Sequence, residues 1–380
     1  RKAESAKNIP LLVTDFLDVL FMPFYEEYIR TPTQSAFIIL FDGMRWDGWN
    51  AIKTRMLQTF WGKFALEKTV PLLSTLPTTT EFSRRALISG LFPNESITLP
   101  ASGVIDQSDL SRQNREGVDN WWKLLSFAFA KRKIYEVQAI TVHEQNLNQL
   151  VQLIEDAEVK VKVINFTLFD HKLHNSKQNL STLYEEVLVN FDDIIQPCLE
   201  RIPSDSLVFI LSDHGLIEIK GKAQTILLAN TEGNKRYFGL KNSWQYSDMF
   251  TSFSSLQGKL PRQSRDRPAN IVFFDADDIK MPRSSGIVQY GFATLNTHLM
   301  TKGASAFREG DFENRGENCA SWFPIVKPSS QPGRYAHGGI SMQEMIVPCS
   351  IFVPKGKGQL ELWQNGKTAR GQDGKGLKGS

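Results

Sequence analysis

Leu207-Val208-Phe209-Ile210-Leu211-Ser212-Asp213-His214-Gly215 opens on five apolar residues and closes on an acid, an imidazole and a glycine. A short unbroken apolar run ended by polar residues reads as a strand buried on both faces, the pattern of a parallel sheet covered by helices. Phe37-Ile38-Ile39-Leu40-Phe41 runs into Asp42-Gly43 in the same way, and Val161 to Phe169 runs into Asp170-His171. Helical periodicity separates these stretches. The clearest case places Leu183, Val187, Phe191, Ile195 and Ile202 on one face, with Thr182 and Glu185 spaced as a capping box. The alternation predicts an α/β fold with a mostly parallel, doubly wound sheet.

In such sheets ligands bind beyond the carboxyl ends of the strands, so Asp42, Asp170 and Asp213 are expected in one crevice. Unit charges about 4 Å apart repel by roughly 4 kcal/mol at an effective dielectric near 20, so the cluster needs cations or protons. Of the six histidines, His214 follows Asp213, His174 lies four residues after Asp170, and His337 sits in Ala336-His337-Gly338-Gly339. Mixed Asp/His donors suit zinc or manganese better than magnesium or calcium. A single Asp-His-Gly turn is as readily a capped strand end as a ligand; five such features together favour metal.

Pro77-Thr78-Thr79-Thr80-Glu81-Phe82-Ser83-Arg84-Arg85 is expected to start a helix, with Thr78 and Glu81 as a capping box. The bland reading is that the threonines only cap. The same geometry places Thr80 in the first turn, where unpaired N–H groups and the dipole favour a phosphate. A neighbouring metal would make its hydroxyl a usable nucleophile. Arg45 and Arg84 are candidates to hold phosphate through forked donors, against solvation or structural pairing.

Around this core, residues 1–33 read as a helical arm or linker, with Leu12, Phe16, Val19, Leu20 and Phe24 at helical spacing. The core is expected over 34–220 and 331–364, resuming with a short helix around Ser341 to Met345 and a strand near Ile351. Between them, 221–330 changes to short β-like pieces, Thr225 to Leu228, Ile271 to Phe274 and Gly286 to Tyr290, and reads as an inserted β-rich cap. Residues 365–380 are expected to be disordered.

Composition sets the class. The 380 residues are 41% hydrophobic and 22% charged, ordinary for a globular chain, and a net charge of +3 falls short of a dedicated nucleic-acid binder. Cys198, Cys319 and Cys349 share no close spacing, which indicates neither a disulfide framework nor a thiolate metal site and fits a cytoplasmic protein. No stretch reads as an export signal or membrane span, and the start at Arg1 suggests a piece of a longer protein or a processed chain. Trp121-Trp122 read as core, and His143 and His298 as structural. The loop carrying Arg262, Arg265 and Arg267 reads as solvated, since Asp266 interleaves.

Asp42-Gly43-Met44-Arg45, the Pro-Thr-Thr-Thr80 helix start, Asp170 with His174, Ser212-Asp213-His214-Gly215, and His337-Gly338-Gly339 followed by Gln343-Glu344 resemble, in order and spacing, the PglZ domain of the alkaline phosphatase superfamily. The resemblance spans roughly Phe37 to Pro354. It implies an alkaline-phosphatase-like fold and two divalent metal ions, zinc or manganese. Asp42, Thr80, Asp213 and His214 would surround one ion; Asp170, His174 and His337 would hold the other. The implied activity is a phosphodiesterase or phosphatase with Thr80 as nucleophile. Its substrate would be a nucleotide or oligonucleotide phosphoester, with protein partners in a phage-defence or signalling complex. Sulfatases share this fold but need a Cys or Ser in a Cys/Ser-x-Pro-x-Arg context, which the Thr80 segment lacks. Phosphosugar mutases remain open, as does a non-catalytic scaffold that binds metal and docks partners.

Overall fold

The structure, a computed structural model, describes residues 10–96, 121–142, 146–174, 176–219, 224–229, 232–233, 236–241, 271–283, 287–294, 297–302 and 334–355. Its centre is a seven-stranded sheet. From one edge to the other the order is Leu11–Leu12, Phe64–Leu73, Ile346–Pro354, Leu207–Leu211, Ala36–Phe41, Val161–Phe166 and Val137–Val142. The last four strands are mutually parallel, whereas Ile346–Pro354 runs antiparallel to both of its neighbours.

Alternation within each apolar run explains why the sheet is buried on both sides. Phe37, Ile39 and Phe41 enter one core cluster, while Ala36, Ile38 and Leu40 enter the other. Val208 and Ile210 likewise part from Leu207, Phe209 and Leu211. The first cluster is covered by the helix Trp46–Thr59, through Trp49, Ile52 and Met56, and by the helix Leu180–Asn190 with its continuation to Leu199. The second is covered by the N-terminal segment and the helices Arg85–Ser89 and Trp121–Ala130. Full burial of each Leu or Phe in these layers stabilises by roughly 1.5–3 kcal/mol.

Several expectations change in detail. The N-terminal stretch is a packing arm: after the short strand it coils over Val13–Tyr28, and Phe16 meets Phe209 edge-on at 5.5 Å. Its inward face is Phe16, Leu17, Leu20 and Phe21, whereas Val19 is 49% exposed, because a wide π turn over Phe16–Phe21 alters the angular spacing. The third apolar run stops as a strand at Phe166, so Asp170 lies in the first turn of the helix Leu168–His174. The long helix is capped by Asn179, whose side chain accepts from the Thr182 amide, so Thr182 and Glu185 are not its capping box. Phe64–Leu73 and Val137–Val142 join the sheet without a buried apolar run to announce them.

Outside the central sheet the described residues of 221–330 are mostly strands, with a turn over 276–280. Ile271–Asp275, Ile287–Ala293, Tyr237–Lys241 and Glu232–Gly233 form an antiparallel sheet, and Gln224–Ala229 pairs in parallel with Thr297–Lys302. Ala276, Met281, Ile287, Tyr290 and Phe292 form a cluster there, against which Leu76, Phe82 and Ile340 pack. That contact seats the outer sheet over the start of the Thr80 helix. The C-terminal tail, Cys319, His143, the arginine loop, and the side chains of Trp121, Trp122 and His298 lie outside the described residues.

Candidate metal centre

Three parallel strands deliver their carboxyl ends to one place. Asp42 follows Phe41 directly, its amide donates to the Phe166 carbonyl, and its own carbonyl accepts from the Asp170 amide. Gly43 then turns the chain at φ +71°, in the left-handed region where a side chain is strained, and donates its amide to Asp213 Oδ1 at 3.3 Å. Asp213 and His214 are wholly buried. Two hydroxyls, from Ser74 and Ser83, donate to the Asp213 carbonyl at 2.6 Å each and anchor that turn from the Thr80 segment.

The three adjacent threonines have three different jobs. Thr78 is fully buried and turned away from the acids: its hydroxyl donates to the Gly339 carbonyl at 2.9 Å and accepts from the Gly338 amide at 3.0 Å. Thr79 is the residue before the helix and makes no side-chain cap bond, so the expected Thr78/Glu81 box does not form. Thr80 opens the helix, with Oγ1 at 3.0 Å from His214 Nε2 and 3.4 Å from Asp42 Oδ1.

The imidazoles are oriented alike. His214 Nδ1 lies 3.0 Å from the Gly215 carbonyl and His337 Nδ1 lies 3.2 Å from the Thr78 carbonyl. With Nδ1 donating, each Nε2 is an acceptor turned toward carboxylates, the orientation metal-binding histidines need. His214 Nε2 is 3.5 Å from Asp42 and 3.9 Å from Asp213, and His337 Nε2 is 3.8 Å from Asp170. The two rings stack at 4.5 Å. Asp42, Asp213 and His214 have ligand atoms within 4.8 Å of one another, and so do Asp170, His214 and His337. The donor set therefore fits divalent metal, with His214 standing between the two groups. The side chain of His174 lies outside the described residues.

Electrostatics show the strain of gathering these acids. Burial pushes Asp42 up to about 6, against the pull of Arg84 and with a further push from Asp213 and Asp170. Burial also opposes ionisation of Asp213, but His214, Arg84 and the Gly43 amide hold it below the ordinary carboxylate range. His214 is disfavoured as a cation by burial, yet Asp213, Asp42 and Asp170 raise it above its usual value.

Both arginines expected to hold phosphate are paired with acids instead. Arg45 forks onto Asp47 at 2.8 and 2.9 Å, and the Tyr184 hydroxyl donates to the same carboxylate. Arg84 is buried and its guanidinium bridges Asp42 and Asp213, with Nε 3.1 Å from Asp213 Oδ2. The physical reason is the helix it rides on: one turn past Thr80, the side chain points down at the strand ends rather than out toward solvent.

Sequence reasoning also missed a support behind His337. Glu344, fully buried, accepts from the Gly339 amide at 2.8 Å and the Ser341 hydroxyl at 2.6 Å, and pairs with the equally buried Arg236. The capping-box spacing of Ser341 and Glu344 was a signal for the first part. Arg236 carried none.

Residues 22–258 match the family described as the BREX system PglZ alkaline phosphatase-like domain. No curated protein matches the chain. Among solved structures, murine ectonucleotide pyrophosphatase/phosphodiesterase 5 aligns at 10% identity over 84% of this chain and 88% of its own, with a TM-score of 0.51. Phosphonoacetate hydrolase from Sinorhizobium meliloti 1021 aligns at 12% identity over 84% and 90%, with a TM-score of 0.48. The first of these shares the fold.

Proposed function

The chain belongs to the BREX system PglZ alkaline phosphatase-like family, and on that premise we propose that it is a metal-dependent hydrolase of phosphate esters that works through Thr80. The observation that carries this reading is the position of Thr80 Oγ1, at the start of a helix and within 3.0 Å of His214 Nε2 and 3.4 Å of Asp42 Oδ1. The metal ligands in this reading are Asp42, Thr80, Asp213 and His214 for one ion, and Asp170, His174 and His337 for the second. Bound there, divalent zinc or manganese would supply Lewis acidity and lower the pKa of an oxygen nucleophile.

The chain's own residues do the rest. Asp42 and His214 fix the Thr80 hydroxyl beside the place the metal would take, and its proton would pass to water as the oxygen becomes a nucleophile. A phosphate bound at Thr80 would sit at the start of this helix, where backbone amides and the helix dipole favour an anion. Thr80 Oγ then bonds to phosphorus as the ester oxygen departs, and water displaces Thr80 from the resulting phosphothreonine. With Arg45 and Arg84 paired to acids, phosphate recognition falls to these amides. A fold shared with a protein named a phosphodiesterase favours diesters, of nucleotides or oligonucleotides, as substrates. The family's name supports a place in a defence assembly with protein partners.

The test is hydrolysis of a generic phosphodiester and its monoester by the purified chain with zinc, with manganese and with chelator, beside Thr80→Ala. Metal-dependent cleavage lost in Thr80→Ala is expected. Bound metal with no turnover of either ester would replace this reading with a metal-stabilised docking scaffold.

A further inference from the structure

Asp42 and Asp213 face each other in a nearly water-free pocket, and the group between them is a guanidinium. Each carboxylate divides its oxygens in a telling way. Asp42 turns Oδ2 to Arg84 and Oδ1 to Thr80 and His214. Asp213 has Oδ1 occupied by the amides of Gly43 and His214, at 3.3 and 3.0 Å, which leaves Oδ2 as the oxygen directed at the cluster. Arg84 Nε donates to that same Oδ2. Any cation drawn to this pair must therefore share Asp213 Oδ2 with a side chain that cannot lose its charge.

We propose that Arg84 is a resident counter-cation of this site: it keeps Asp42 and Asp213 assembled without metal and weakens the pair's hold on a divalent ion. The proposal rests on the metal-site reading above. Without Arg84 the two buried carboxylates would repel, and the fold would depend on metal or protons to bring the strand ends together. With it, the chain folds first and takes up metal afterwards, against the repulsion of a positive charge already in place. Arg84 is in this sense a positioning residue for Asp42 and Asp213, and a brake on metal affinity.

The experiment uses the full chain, stripped by chelator, with zinc titrated calorimetrically into wild type, Arg84→Gln and Arg84→Lys, and melting followed with chelator and with zinc. Wild type is expected to melt cooperatively in chelator. Arg84→Gln should melt several degrees lower in chelator, recover with zinc, and bind zinc at least about tenfold more tightly, since a like charge beside the ion has been removed. Arg84→Lys, which keeps the charge, should retain the weaker binding. If Arg84→Gln folds only with zinc, the same affinity is read from the loaded side, by competition with a chromophoric chelator. Equal or weaker zinc binding in Arg84→Gln overturns the inference and leaves the metal site standing. Failure of all three proteins to bind zinc or manganese overturns the metal-site reading, and this inference with it.

Discussion

Arg236 Nη2 lies 2.8 Å from Glu344 Oε2, with both side chains fully buried, and this pair ties the outer sheet to the turn that carries His337. The Glu344 carboxylate also receives the amides of Gly339 and Ser341, so one side chain fixes the peptide on the far side of His337. Removing one partner of a buried pair leaves the other charge uncompensated. Glu344→Gln is accordingly expected to destabilise by ~3–5 kcal/mol and to weaken metal binding. Denaturant unfolding checks the first part; a loss below about 1 kcal/mol, the range of exposed pairs, would contradict it.

Thr80 and Thr78 should separate activity from stability. Thr80→Ala removes the hydroxyl facing Asp42 and His214 and is expected to abolish ester hydrolysis with little change in melting temperature, while Thr80→Ser keeps measurable turnover. Thr78→Val removes the hydroxyl that serves Gly338 and Gly339, and should cost about 1–3 kcal/mol because those groups are left unpaired. Parallel activity and melting assays would show the two profiles exchanged if Thr78 were the nucleophile.

Gly215 has no room for a side chain: a Cβ there would lie 2.0 Å from the Gln343 carbonyl oxygen and 3.2 Å from the Arg45 side chain. Since its amide also donates to the Glu344 carbonyl, the turn after His214 and the turn before the last strand touch backbone to backbone. Gly215→Ala is expected to destabilise by at least ~1–3 kcal/mol, as overpacking does, and to displace His214. Unchanged melting and unchanged zinc affinity would show that the contact yields freely.

Metal uptake should depend on pH with a definite sign. In the metal-free chain burial holds the Asp42 proton up to about 6, and neighbouring carboxylates raise His214. A ligand must shed its proton before it can bind, so apparent zinc affinity falls as pH drops through that region and levels off above it. The slope should approach about tenfold per pH unit for each proton displaced. Zinc titrations at a series of pH values would contradict this if affinity were flat below about pH 6, since no proton would then be competing.

Much of the arrangement was legible in the chain. Leu207–Leu211 and Phe37–Phe41 are short apolar runs of strand length that a sheet covered on both faces buries, and the acid that ends each run then stands at the sheet's carboxyl edge. Phe64–Leu73 was not legible. It carries Glu67 and Lys68 at exposed positions and joins the sheet through its pairing with Ile346–Pro354, almost the whole described chain away.

What the sequence by itself determined is the set of acids and imidazoles and the α/β frame that brings them together, because periodicity and strand ends are local properties of a chain. Tertiary structure decided what each polar group faces. Only packing distinguishes three consecutive threonines, turning Thr78 to the His337 loop and Thr80 to His214. Only packing takes Arg84 from a candidate phosphate ligand to the partner of Asp42 and Asp213, and gives Arg236 its place beside Glu344. A charge buried away from water must find an opposite charge, and which one it finds depends on segments that are distant in sequence and meet only when the chain has folded.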